Sequence, residues 1–214
     1  TNQVLSDFVV RSAVSLALNK QAITEEVYNG AAQVIHGPIL PGMTGYQEQA
    51  IESDPTKANA ALDEAGYNRD DEGLRAIKAE LVEEEEQDEV AENSGVQESK
   101  LKFTLTTAAS SELVLAAETI QSQLLEIGIE LEIITVPAEL FYAEVIEPRN
   151  FEILLTPVAL GADPDPYPFW HSSQIDNGLN LAGYENDEAD TLLEEARAET
   201  DDEVRAEKYQ MFQA

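Results

Sequence analysis

Between Gly161 and Trp170 the chain reads Gly-Ala-Asp-Pro-Asp-Pro-Tyr-Pro-Phe-Trp, and His171 follows. Two carboxylates, Asp163 and Asp165, alternate with prolines ahead of three rings, Tyr167, Phe169 and Trp170. A carboxylate placed there can pair with a ligand ammonium or guanidinium, and ring faces beside it suit apolar or ring-bearing groups. The prolines lower the entropy lost when such groups are ordered. The same residue types also build a stiff surface turn whose aromatics plug a satellite core and whose carboxylate caps the backbone after it, so composition leaves both readings open. For Trp170, the one tryptophan, core burial is the commoner fate. His171 reads as a hydrogen-bonded loop residue rather than a metal ligand, since no second histidine is near it in sequence.

Catalytic inventories are thin. His36 and His171 are the only histidines, cysteine is absent, and neither a Gly-x-Ser-x-Gly elbow nor a glycine-rich phosphate loop occurs. The spacing of Asp163 and Asp165 in a proline-rich loop sets no defined carboxyl separation, so it does not specify the acid and base of a glycoside hydrolase. Asn68-Arg-Asp-Asp-Glu-Gly73 has the look of a calcium loop, but the twelfth position is Ala79 where a bidentate glutamate is needed, and a plain turn is the better reading. The expectation is therefore a binding protein, not an enzyme, with no cofactor and no metal. Forty-three acidic against 12 basic side chains leave a net charge of −31, which repels phosphates and argues against nucleic acid or a basic membrane-binding face. That acidity fits an exported surface protein or adaptation to high salt. No run of 18 apolar residues is present. The chain starts at Thr1 and stops within a helical pattern, from which we expect a piece of a longer protein whose targeting signal lies elsewhere.

The elements that must position these residues follow from periodicity. Asp7 to Leu18 reads as a helix with Val10, Ala13, Val14 and Ala17 on one face; Asn19 caps a second, which Gly30 ends. Residues 31–52, with His36-Gly-Pro, Pro41-Gly and Gly45-Tyr46, form an irregular crossing segment. Asp54, Pro55 and Gly66 suit the cap, first turn and exit of a third helix. From Asn68 to Lys100 the composition shifts, with nine carboxylates and no basic residue between 80 and 98, and we read an acidic insertion at about 74–100. Beyond it the pattern is strand (101–107), helix (111–127), strand (129–136), helix (138–147) and strand (151–156), then helices from Asn186 and from a capping box at Thr200 to Glu203. Helices between strands imply crossover connections, hence an α/β fold with partly parallel pairing.

Four blocks then carry a resemblance in consistent order: Val10 to Ile23, Gly37-Pro-Ile-Leu-Pro-Gly-Met-Thr-Gly-Tyr46, Asp54 to Tyr67, and Gly161 to Trp170 followed by Asn180-Leu-Ala-Gly-Tyr-Glu-Asn186. The chain resembles the carboxy-terminal lobe of family 5 extracellular solute-binding proteins, the oligopeptide and dipeptide receptors of ABC importers. The resemblance implies a type II periplasmic-binding-protein-like lobe spanning 1–214, a mixed sheet flanked by helices. It implies capture of peptides outside the cytoplasm, by a periplasmic protein or cell-surface lipoprotein, for a membrane permease, usually as a monomer. It places Asp163 where the family pairs the ligand's α-amino group, with Tyr167, Trp170 and Asn180 as neighbouring ligand contacts. A carbohydrate-active or other hydrolytic enzyme, and a peptide-sensing or adhesion protein on the same scaffold, are the alternatives, the first distinguishable by turnover and the second by lack of a transporter partner.

Overall fold

The computed structural model describes residues 3–78, 98–160 and 165–214. It divides into two compact units, 1–32 with 52–156, and 33–51 with 157–214.

In the first unit a 3-10 turn (Gln3–Ser6) leads into α1 (Phe8–Ala17), whose Asp7 cap accepts a hydrogen bond from Val9 N at 2.8 Å and whose Val10, Ala13 and Ala17 are buried. The other Asp7 oxygen accepts the Tyr67 hydroxyl at 2.7 Å. Burial pushes the Tyr67 phenol well above its usual range, and the Asp7 hydrogen bond adds to the shift. Next come α2 (Lys20–Tyr28), capped by Asn19, and α3 (Pro55–Glu64), capped by Asp54 with Pro55 in its first turn. Strands β1 (Asn68–Arg69), β2 (Arg75–Lys78) and β3 (Glu98–Lys100) pair antiparallel in that order.

At the two ends of the stretch read as an acidic insertion, residues 75–78 and 98–100 are paired, and 79–97 lies outside the described residues. Arg75 is 2% exposed. Its guanidinium donates to Ile127 O at 2.7 Å, Tyr67 O at 2.5 Å and Asn59 Oδ1 at 2.8 Å, and pairs with Asp63. Full hydrogen bonding is what lets a cation stay inside. Gly128 passes directly over this network at φ +81°, where a Cβ would stand 2.8 Å from Arg75 Cγ and 2.9 Å from Gly73 O. At Asn68–Gly73 the turn reading holds: Asp70 Oδ1 accepts the Glu72 and Leu74 amides, each at 2.9 Å, in the hairpin between β1 and β2.

The second sheet is parallel throughout, with order β5-β4-β6, formed by β4 (Lys102–Ala108), β5 (Glu130–Val136) and β6 (Ile153–Leu155). Helix α4 (Ser111–Glu126) connects β4 to β5, and α5 (Ala138–Phe141) runs into a π turn at Tyr142–Ile146 before β6, so the expected second helix is one α turn and one π turn. Alternation along the strands sorts the faces. Phe103, Leu105 and Leu131 join Val10, Leu62, Ala117 and Leu124 in the core, while Thr104, Thr106, Ile134 and Val136 point the other way and line a cleft.

In the second unit, Ile39 from the crossing segment is buried with Leu193, Ala196 and Tyr209. Gly45, at φ +81°, abuts Tyr209 so closely that a Cβ would collide with it. The chain continues through α6 (Tyr167–Trp170), a 3-10 turn (Ser172–Gln174), α7 (Asp187–Ala198) and α8 (Asp202–Phe212). Asn186 caps α7. The cap of α8 is Asp201, which accepts from Glu203 N and Val204 N, one residue beyond the Thr200 expected from the capping box. Glu199 accepts both the Thr200 amide at 2.8 Å and the Asp201 amide at 3.0 Å just ahead of the helix.

Candidate functional site

Asp163 lies outside the described residues; description resumes at Asp165. Asp165 Oδ1 accepts the Tyr167 amide at 3.0 Å, the hydrogen bond of an Asp starting a turn, and it launches the single turn of α6. Its other oxygen lies 3.0 Å from Arg197 Nε at the end of α7. The Arg197 guanidinium also covers the Tyr167 ring at 4.6 Å from its centroid, and Tyr167 in turn stacks on His171 with centroids 4.2 Å apart and planes at 25°. His171 is 6% exposed. Its Nδ1 accepts the Ser173 amide at 3.0 Å, and its Nε2 lies 3.3 Å from Glu194 Oε1.

One turn nearer the start of α7, Asp190 accepts the Ser172 amide at 2.9 Å and also the Ser172 hydroxyl. Asn180 closes the segment from inside. It has 0% exposure, donates to His171 O at 3.1 Å and Tyr184 O at 2.8 Å, and accepts the Tyr184 amide at 3.0 Å. Trp170 meets Tyr184 and Phe212 edge-on, with centroids 5.7 and 6.2 Å away, and packs against the second unit's apolar cluster. Of the expected site residues, then, Tyr167 is half-buried between Arg197 and His171, Trp170 is half-buried on the satellite core, and Asn180 is committed to backbone. His171 is the hydrogen-bonded loop residue expected of it. Arg197 and Asp190 were missed. The only hint was Arg197 as the lone cation in the last turn of α7, and no local pattern reveals a contact 32 residues away in sequence.

In the first unit, a cleft of about 370 Å³ opens over the outer face of the parallel sheet, lined by Thr106, Ile134, Val136, Val145, Arg149 and Phe151 among others. Its far wall is shaped by Arg149 in the left-handed region at φ +54° and by Glu152, which accepts both the Thr104 amide (2.7 Å) and hydroxyl (2.8 Å). Among the described residues no group of three or more His, Asp or Glu side chains could hold a metal ion, and no helix is long and apolar enough to cross a membrane.

A family model described as bacterial extracellular solute-binding proteins, family 5 Middle, matches residues 1–180. The chain belongs to that family, and its fold is the α/β fold of type II periplasmic binding proteins. It is similar to the oligopeptide-binding protein AppA of Bacillus subtilis (strain 168), 29% identical over 99% of this chain and 37% of that protein. It is also similar to the heme-binding protein A of Haemophilus influenzae, 30% identical over 95% of this chain and 33% of that one. The solved structure of the Bacillus subtilis AppA in complex with a nonapeptide superposes with a TM-score of 0.82 at 27% identity, covering 99% of this chain and 40% of that one. An oligopeptide-binding protein of Thermus thermophilus, at 21% identity and a TM-score of 0.79 over 99% of this chain and 36% of its own, shares the fold. The chain thus spans little more than a third of the curated relatives it matches.

Proposed function

We propose that this chain is part of the extracytoplasmic solute-binding component of an ABC importer and that the receptor captures peptides. The observation that carries the reading is the match along 99% of the chain to an oligopeptide-binding protein, together with the superposition on that protein in its nonapeptide-bound form. Capture works by differential binding: contacts from both lobes stabilise a closed form that a membrane permease recognises, with no bond made or broken. In this reading Asp163 pairs with the peptide α-amino group. Tyr167, Trp170 and Asn180 are its neighbouring ligand contacts in the same reading, and the Asn180 amide also holds His171 O and the Tyr184 backbone. A periplasmic or lipid-anchored location and a monomeric state complete the proposal.

The test is equilibrium dialysis of the full-length receptor against a synthetic library of peptides of three to nine residues with free amino termini. Retention of peptides is expected, and Asp163→Asn should weaken it by about tenfold, the loss of a charged hydrogen bond. N-acetylation of the library should have a comparable effect on the native protein. A receptor that retains no peptide, or that hydrolyses the library, refutes peptide capture. Equal retention by Asp163→Asn removes the assignment of Asp163. Because a piece of a receptor offers only part of the contacts, the 214-residue chain alone should retain the library weakly or not at all.

A further inference from the structure

We propose that His171 is a proton-operated latch: neutral, it holds the turn Ser172–Gln174 shut, and on taking up a proton it exchanges the Ser173 amide for the carboxylates of Asp190 and Glu194 and lets the turn open. The latch does not depend on which solute the receptor takes. His171 is almost wholly buried, yet only one of its ring nitrogens has a hydrogen-bond partner among the described residues. Nδ1 accepts the Ser173 amide at 3.0 Å, which needs a lone pair on Nδ1 and so places the neutral ring's proton on Nε2. That Nε2 lies 3.3 Å from Glu194 Oε1 but outside hydrogen-bond geometry. The closed turn thus requires a neutral ring and leaves a buried donor unsatisfied, which costs stability.

Among the described residues, the titratable and charged groups that meet the ring or its stacked neighbour are Tyr167 from α6 and Asp190, Glu194 and Arg197 from α7. A second proton, taken from solvent, goes onto Nδ1 and removes the lone pair that holds Ser173, so that an N–H then faces an N–H. Asp190 Oδ1 stands 3.9 Å from that nitrogen, and Glu194 Oε1 already flanks the other. Both carboxylates gain a charge-assisted partner when the ring is cationic. Asp190 Oδ1 is also what accepts the Ser172 amide, and its second oxygen takes the Ser172 hydroxyl. Turning toward the imidazolium therefore loosens Ser172 in the same step in which Ser173 loses Nδ1. Arg197 opposes a second cation only from across the Tyr167 ring, against two carboxylates on the near side. Because the open turn binds one more proton than the closed one, opening grows as pH falls through the range in which histidines titrate. Asn180 keeps hold of His171 O and of the Tyr184 amide in either state, which confines the motion to the turn.

The experiment is hydrogen–deuterium exchange of the full-length receptor, read by mass spectrometry between about pH 7.5 and about pH 5.5 and corrected for intrinsic amide exchange. Protection of the Ser172 and Ser173 amides should fall about tenfold over that interval, while the Tyr184 amide keeps its protection. Exchange of the His171 C2 hydrogen, which follows ring protonation, should share the same midpoint. His171→Asn offers an amide oxygen near the place of Nδ1 but does not titrate, and it should make protection at Ser172 and Ser173 independent of pH. Asp190→Asn keeps an oxygen for the Ser172 amide but gives the imidazolium no charge to meet, and it should reduce the fall to about threefold. Amides that keep full protection at the acid end overturn the latch, as does a fall of undiminished size in either variant. An equal loss at Tyr184 overturns it too, because the whole segment and not the turn is then what opens. So does a C2 midpoint that differs from the loss of protection by more than about one pH unit. That last comparison needs no variant, so it decides the matter even where His171→Asn does not fold.

Discussion

In the parallel sheet, the side chains of Phe103, Leu105 and Leu131 are held by burial against α1, α3 and α4, above a backbone paired in the strand ladder. The segment from Asp165 to Tyr184 is held the other way. A guanidinium, two carboxylates, an imidazole and a buried amide meet specific partners there, while Tyr167, Phe169 and Trp170 are only half-buried. Apolar burial tolerates small errors in geometry; a clamp of directional contacts places a chain segment to within a fraction of an ångström but loses its hold when one partner goes. Scaffold and presenting loop therefore differ in what can damage them.

The largest effect that tests this difference comes from Leu62→Ala. Leu62 has no exposed surface and sits in the sheet's core cluster, so the truncation should cost about 3 kcal/mol, read from urea unfolding. A cost below about 1 kcal/mol would mean that the first unit's core can collapse around the hole and that burial alone does not fix the scaffold. Asn180→Ala should cost about 2 kcal/mol, because His171 O, Tyr184 O and the Tyr184 amide lose a buried partner. Its signature should be faster amide exchange between 171 and 184.

The same contrast explains what could be read from the sequence. Helices α1, α3 and α4 and the β-α-β-α-β order were legible because the Asp54 cap and apolar periodicity are local signals. The strand at Arg75 was hidden: an arginine within an acidic stretch reads as surface, and Ile127, Tyr67, Asn59 and Asp63, supplied from other elements, make its burial possible. Trp170 fell to the commoner of its two readings in part, lying against Phe212 and Tyr184. Arg197 was illegible for the reason Arg75 was, since its role depends on which residues the fold brings to it.

Salt sharpens the comparison. With 43 acidic against 12 basic side chains, self-repulsion opposes the folded state, and 1 M salt shortens the screening length to about 3 Å. The thermal midpoint by far-ultraviolet circular dichroism should rise by about 5 °C between 0.05 and 1 M NaCl. Trp170, as the sole tryptophan, reports on the second unit alone. Its fluorescence midpoint should rise as well, since surface ion pairs occur in both units, Lys57–Asp54 and Lys102–Glu130 in the first and Arg197–Asp165 and Lys208–Glu195 in the second, and self-repulsion is screened in both. A rise in one probe only would locate the self-repulsion in one unit.

The smallest effects are in pH, and here the two kinds of cohesion act at opposite ends of the scale. Asp54 and Glu199 are exposed carboxylates held below their usual range, first by backbone amides: Lys57 N for Asp54, Asp201 N for Glu199. A depressed folded value means their stabilisation is complete above the unfolded values of 3.8 and 4.5 and is lost as pH falls through those values toward the lower folded ones. Tyr67 has the opposite sign. Burial raises its phenol above the unfolded value of 10.0, so its contribution is present below that pH and is lost as pH climbs past it. Urea midpoints should therefore fall slightly below pH 4.5 and again above pH 10. Asp54→Asn keeps a cap oxygen for the Lys57 amide while removing the charge, and should flatten part of the acid limb without touching the alkaline one. Tyr67→Phe should do the reverse, and an alkaline limb that survives it would assign that limb to groups other than the buried phenol.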